Sequence, residues 1–321
     1  MSHWPVGLEV VDELRASKSH ESLLSDGSTA YRVGRNLVWH LITGQGHSYF
    51  VKLCRDGDDF SRQVFGLNLS QDIAAADSRF MAADIVAVDP RRLLIVTRPI
   101  GGALVSALFS KAFRVDRNPL WRTPARVGAR EALGMVATWL NALHARPADA
   151  NVPLYDHSRE AAWKRTALKL DALSLTTPSL SGHVGFSRRW RFVARPGDKS
   201  LVFGDATMAN FFVSNGRVGA VDFEDVGLGP VSRDWATLEN DVRQAFRNIH
   251  YRTDRQALDQ VSCSPDVTRD VVLLELTVNR LEHDLPLGGL LAACRRRAAC
   301  SRVERLISAL VCAGAIERCP S

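Results

Sequence analysis

Apolar positions along the chain change their spacing about a third of the way through. Up to about residue 97 they form short β-branched and aromatic runs broken by Gly, Asn, Asp and Pro, and beyond residue 102 they recur at helical intervals. Runs over 30–33, 37–41 and 48–53, separated by turns at Gly34 to Asn36 and at Thr43 to Gly46, read as an antiparallel meander. Two further strands are predicted over 85–88 and 92–97, joined at Asp89-Pro90; the second runs into the polar linker from Arg98 to Gly102. A short amphipathic helix follows over 104–113. Val127, Ala132, Leu133, Val136, Leu140 and Leu143 then place an apolar stripe on a long helix over 125–144, which Pro147 stops. One more helix is expected over 158–173, before a loop rich in Gly and Pro that extends to 200. From Trp235 onward the pattern is helical, over 238–249, 254–261, 267–283, 290–299 and 302–316, with Pro265, Pro286 and Gly288-Gly289 marking loops. Residues 7–24 begin helically, with Leu8, Val11 and Leu14, and lose the pattern in a polar stretch.

One stretch fits neither regime. Apolar 201–203 and 211–213 read as short strands around a polar loop, 204–210, and after a turn at 214–217 the run 218–221 delivers Asp222 at its end. Asp205, Asn210 and Asp222 can thereby converge on one spot. Phosphoryl transfer requires such a set: a carboxylate to orient the attacking hydroxyl and accept its proton, and an amide oxygen with a second carboxylate to hold magnesium against the phosphates. Four residues separate Asp205 from Asn210, the spacing of the catalytic Asp and metal-binding Asn in a kinase catalytic loop, and Asp222-Phe223 stands where the metal-binding Asp-Phe lies. An Asp and an Asn at this separation also cap ordinary turns. The second Asp, at the end of a run of the right length, favours chemistry.

Composition narrows the class. With 321 residues, 46% hydrophobic and 24% charged, the chain is globular, long enough for about two domains or one two-lobed domain. A net charge of +6 is modest, and the one basic run, Arg295 to Arg297, reads as a solvated helix face, so no nucleic-acid partner is expected. With no recognisable secretion signal or membrane-length apolar run, a cytoplasmic protein with no membrane partner is expected. The six cysteines lack metal-type spacing, and the four beyond residue 290 read as small packing residues. From Asp225 onward, thirteen acids balance thirteen arginines, without the acidic excess that a polycationic acceptor calls for.

The amino-terminal half supplies the parts of a nucleotide site. Gly34 in the first turn lets backbone N–H groups approach a phosphate. Only six lysines occur, and Lys52 lies inside the third strand. A strand lysine is commonly just an outward residue. A lysine on the third strand after a glycine turn is also where the kinase fold keeps the one that grips the α- and β-phosphates.

Phe203-Gly204-Asp205, Asn210 and Val221-Asp222-Phe223-Glu224 together resemble the aminoglycoside phosphotransferase family of small-molecule kinases, whose core reads His-Gly-Asp-x-x-x-x-Asn and then Ile-Asp-Phe/Trp-Glu/Asp. The resemblance covers about 30–236. It implies an α+β, two-lobed protein-kinase-like fold: a β-rich nucleotide-binding lobe over 1–97, a hinge over 98–102, and a mainly helical catalytic and acceptor-binding lobe over 103–321. It also implies ATP and Mg2+ as cofactors and a small-molecule hydroxyl as acceptor, with a monomer or homodimer as the working form. Asp205 is then the catalytic residue, Asn210 and Asp222 the metal ligands, and Lys52, Gly34, Asn36, Thr97, Arg98 and Pro99 the nucleotide-binding residues, the last three at the adenine edge. His144 and Asp234 correspond to family positions that support the catalytic loop without reacting. Phe203 replaces the family histidine, and Gln63 stands where a glutamate usually steadies the lysine, leaving the partner of Lys52 as Gln63 or another acid, Asp72 or Asp77. These departures keep a catalytically inactive nucleotide-binding protein as the alternative to an enzyme. Choline, fructosamine, homoserine, an antibiotic or a short peptide all remain open as acceptors.

Overall fold

The computed structural model describes residues 29–33, 36–42, 48–113, 122–147, 154–193, 200–246, 254–261, 267–284 and 290–319. Gly34 and the helical start expected over 7–24 lie outside them, and of Asn36 only the backbone is described. In chain order the elements begin with β1 (Thr29–Val33), β2 (Asn36–Ile42), β3 (Ser48–Leu53), α1 (Gly57–Ala76), β4 (Asp84–Asp89), β5 (Leu94–Arg98), β6 (Ala103–Leu104), α2 (Val105–Phe113) and α3 (Arg122–His144). Next come β7 (Tyr155–Asp156), α4 (Arg159–Thr176), α5 (Phe186–Arg189), β8 (Trp190–Phe192), β9 (Ser200–Val202), β10 (Phe211–Ser214), β11 (Arg217–Ala220) and β12 (Gly227–Gly229). The chain ends in α6 (Ser232–Phe246), α7 (Arg255–Asp259), α8 (Val267–Asp284), α9 (Leu290–Cys312) and β13 (Ile316–Arg318). It divides into two compact units, the first Met1–Leu143, Asp149–Leu154 and Met208–Val226, the second His144–Ala148, Tyr155–Thr207 and Gly227–Ser321. Residues 98–102 fall within the first.

The first unit is built on an antiparallel sheet ordered β1-β2-β3-β5-β4. Directly paired residues share a face, so Trp39, Val51 and Val96 stand in one row, and with Leu94 they form an apolar cluster. The opposite face carries Val38, Lys52 and Ile95, and two residues along it Phe50 and Thr97. α1 starts at an Asp56 cap, whose carboxylate accepts the Asp59 N–H at 2.9 Å, and Asp58 and Asp59 suit the positive end of the helix dipole. A second sheet, ordered β11-β10-β6, carries the hairpin of the 204–222 stretch.

Helices dominate the second unit. α4, α8 and α9 close around Trp163, Leu170, Leu274, Val278 and Leu310. Ser158 caps α4 by accepting the Ala161 N–H at 3.2 Å. Two buried carboxylates here are held by arginine pairs. Glu239 on α6 takes Arg243 and Arg269, and Glu275 on α8 takes Arg165 and Arg233. A small sheet ordered β7-β12-β9 leads into the residues before Asp205.

Three expectations need correction. α6 begins at Ser232, not 238, because its first turn buries Arg233 and Asp234, polar residues that hide the apolar period. The helices expected over 290–299 and 302–316 are one continuous α9 up to Cys312, since Cys300-Ser301 contains no helix breaker, and the chain then enters β13. Of the carboxy-terminal cysteines only Cys300 is buried; Cys294 and Cys312 are exposed, so they do not pack. No described helix is long and apolar enough to cross a membrane.

Candidate active site

Lys52 is not an outward residue of its strand. On the face opposite the Trp39 cluster its ammonium contacts the Asp222 carboxylate, donates to Gln63 Oε1 at 3.0 Å and lies 3.5 Å from Glu224 Oε2. Only 13% of the Lys52 side chain and 19% of that of Asp222 remain exposed. Burial alone would drive the amine toward neutrality, but the charges of Asp222 and Glu224 outweigh it and hold Lys52 above the ordinary lysine range. The alternative partners are elsewhere: Asp77 is bonded to Arg79 and Asp72 faces solvent.

Register explains how Asn210 and Asp222 reach one place. Phe211 pairs with Ala220, and the ladder continues one step further where the Val221 N–H donates to the Asn210 carbonyl at 3.0 Å. The hairpin therefore brings Asn210 and Asp222 to the same end. Asp222 holds a left-handed backbone, φ 68°, a conformation that costs an ordinary residue about 1–3 kcal/mol and concentrates at functional sites. The next residue pins it. The Phe223 N–H donates to Gln63 Oε1 at 2.8 Å, and its ring packs against the α1 backbone at Gly66, where an added Cβ would lie 2.2 Å from Phe223 Cβ.

Asp205 belongs to the second unit, and its surroundings there are fixed from below. The wholly buried Asp234 carboxylate accepts the N–H groups of Phe203 and Gly204, both at 2.8 Å, and pairs with His144 Nε2 at 2.8 Å. Gly204 turns the chain at φ 87°, and the Thr207 N–H closes on the Asp205 carbonyl at 2.8 Å. His144 and Asp234 thus hold the backbone before Asp205, as positioning groups. Phe203 is completely buried, filling space with no polar atom to satisfy.

Thr97 and Arg98 end β5 and Pro99 follows it, with Thr97 on the Lys52 face. Arg98 and Pro99 are exposed, and Arg98 pairs with Asp84 at 3.0 Å. Two residues were missed by sequence reasoning. Glu224 was visible in the motif without a role, and Arg62, which donates to the Glu224 carbonyl at 2.7 Å and pairs with Asp59, was visible only as the neighbour of Gln63. Three acids within four positions, 222, 224 and 225, were the available signal.

The donor set suits a hard divalent cation. Burial and the adjacent Asp222 charge push Glu224 up to about 7, which marks a cluster richer in carboxylate than one ammonium balances. Among the described residues no group of three or more His, Cys, Asp or Glu is arranged to hold a metal. Magnesium needs no such cage, since it keeps waters and phosphate oxygens and takes one or two protein carboxylates. Asp222 is such a carboxylate, and Asn210 stands at the same end of the hairpin.

The model of the phosphotransferase enzyme family matches residues 33–261. No curated protein matches the chain in sequence. Solved structures similar to it include the amicoumacin kinase hAmiN in complex with AMP-PNP, Ca2+ and amicoumacin (14% identity, 92% of this chain and 96% of that one, TM-score 0.52). A thermostable mutant of the aminoglycoside phosphotransferase APH(4)-Ia matches at 16% identity over 94% and 98%, TM-score 0.50. The choline kinase LicA from Streptococcus pneumoniae matches at 15% over 92% and 98%, TM-score 0.50. At these identities the likeness establishes the fold, which is α+β and protein-kinase-like, as the sequence motifs implied.

Proposed function

Because the chain belongs to the phosphotransferase enzyme family, we propose that it is an ATP-dependent small-molecule kinase of the cytoplasm, moving the γ-phosphoryl group to an alcohol with magnesium as the metal. The observation that carries this reading is the contact between Lys52 and Asp222, 170 residues apart in the chain, at the end of a hairpin that also presents Asn210. Lys52 holds the α- and β-phosphates. Asn210 and Asp222 hold the metal, whose contribution when bound is to neutralise charge on the phosphate oxygens. Asp205 orients the acceptor hydroxyl and takes its proton, while Asp234 and His144 keep the preceding backbone in place. Gly34 and Asn36 are assigned to the phosphates, and Thr97, Arg98 and Pro99 to the adenine edge.

Charge narrows the acceptor to a neutral or anionic alcohol. The first unit holds 18 Lys and Arg against 18 Asp and Glu, the second 23 against 17, so the helical unit carries the whole net charge of +6. Its buried carboxylates Glu239 and Glu275 are each already engaged by two arginines. Neither is free to partner a polycation, whose amines are costly to desolvate without carboxylates.

The test is an ATP-consumption screen over hydroxylated metabolites and antibiotics, with product located by the mass gain of one phosphoryl group. Asp205→Ala is the control, expected to lose turnover about 10²–10⁴-fold as a missing general base does. Turnover unchanged in that variant rejects the mechanism. Nucleotide binding with no turnover on any alcohol rejects the enzyme in favour of a nucleotide-binding protein.

A further inference from the structure

In kinases a glutamate on the helix after the lysine strand both orients the phosphate-gripping lysine and supplies its countercharge. α1 offers Gln63 at that place, and an amide can orient an ammonium without neutralising it. Gln63 is buried, and its single oxygen accepts from Lys52 Nζ at 3.0 Å and from the Phe223 N–H at 2.8 Å. Both lone pairs are thereby used, and the helix is tied to the lysine and to the turn that carries Asp222. The negative charge at Lys52 comes from that turn instead, from Asp222 and from Glu224.

Asp222 meets Lys52 through Oδ1, and as a metal ligand it would share its charge between the cation and the lysine. Glu224 is the second carboxylate at the Lys52 amine, 3.5 Å away, and the one not assigned to the metal. Its backbone is fixed for this: Arg62, one residue before Gln63, donates Nε to the Glu224 carbonyl at 2.7 Å and is itself held by Asp59. The same helix turn thus anchors both halves of the device.

We propose that Glu224 and Gln63 share the task of one helix glutamate, Gln63 orienting Lys52 and Glu224 supplying its countercharge, so that Glu224 is a positioning residue for the nucleotide phosphates. The proposal rests on the kinase reading of the site. It makes two predictions that separate it from a role for Glu224 as a further metal ligand. Loss of Glu224 must matter to nucleotide bound without any metal, and a carboxylate on α1 must replace it.

The experiment is calorimetric titration of the full chain with ADP, once with excess chelator and once with magnesium, for wild type, Glu224→Gln, Gln63→Glu and the double variant. Glu224→Gln is expected to weaken ADP about tenfold under both conditions, the size of one lost charged contact. The double variant, with the charge moved to α1, is expected to regain most of that loss. Metal-free ADP binding Glu224→Gln as tightly as wild type overturns the inference, as does a double variant no better than Glu224→Gln. Wild type binding no ADP at all removes the kinase reading with it, which distinguishes the two failures. Should the Gln variant not fold, Glu224→Asp retains the charge one methylene short of Lys52; intermediate weakening supports the inference and unchanged affinity overturns it.

Discussion

Asp234 Oδ1 accepts the backbone N–H of Gly204 at 2.8 Å, across 30 residues of chain and out of reach of solvent. The other oxygen takes the Phe203 N–H and faces His144 Nε2. Two buried N–H groups immediately before Asp205 thus depend on one carboxylate. Asp234→Ala leaves both without an acceptor, at about 1–3 kcal/mol for each unsatisfied group. Urea unfolding is expected to show a loss in that range or above, together with a fall in turnover. A variant as stable as wild type would mean that water or a rearranged loop satisfies those groups.

Asp222 is the residue on which magnesium dependence should rest. In Asp222→Ala the hairpin keeps Asn210, Lys52 keeps Gln63 and Glu224, and the carboxylate closest to the amine is gone. ADP affinity in this variant is expected to become nearly insensitive to magnesium, whereas the wild type tightens as the metal is added. Retained tightening would place the metal on other ligands. The left-handed backbone at 222 adds a second effect: Asp222→Gly relieves the conformational cost and is expected to be more stable than the Ala variant, compared by thermal melting.

How far the sequence could be read depends on what each residue answers to. The meander and Lys52 were legible because their strands alternate and their turns carry Gly and Asn. That Asn210 and Asp222 come to one end of a hairpin was legible because they sit on either side of a turn in one stretch. β6, β7, β8, β12 and β13 were not, since each has only two to three residues and none has the flanking motif that marked 201–203. The start of α6 was hidden for a related reason, its buried face being made of Arg233 and Asp234. Gln63 was located correctly by motif, yet its double role depends on the Phe223 backbone 160 residues away, a contact no local pattern encodes.

Gly66 is where that long-range contact is most exposed to mutation. Its ideal Cβ would lie 2.2 Å from Phe223 Cβ and 2.3 Å from Cγ, so Gly66→Ala forces α1 away from the residue next to Asp222. Alanine has the higher helix propensity by about 1 kcal/mol, so on propensity alone the substitution would stabilise the helix. Overpacking of this kind costs about 1–3 kcal/mol and is expected to win. The expected result is a lower melting temperature with weaker ADP binding, because Phe223 carries the N–H that Gln63 accepts. A stabilised variant with unchanged ADP affinity would show that the contact between α1 and Phe223 is slack.

Acid should weaken the helical unit through Glu239. Burial would raise this carboxyl, but hydrogen bonds and charge from Arg269 and Arg243 prevail and bring it from 4.5 down to about 2. Arg165 and Arg233 hold Glu275 below its ordinary range in the same sense. A carboxyl lowered on folding binds its proton more readily in the unfolded chain, so its contribution is complete above about 4.5 and drains away as the pH falls toward about 2. Unfolding free energies measured by urea should therefore drop steeply across that window. Glu239→Gln is expected to be less stable than wild type at neutral pH and to lose less between 4.5 and 2, because the amide has no proton to take up. A parallel decline in wild type and variant would assign the acid sensitivity to carboxylates elsewhere in the chain.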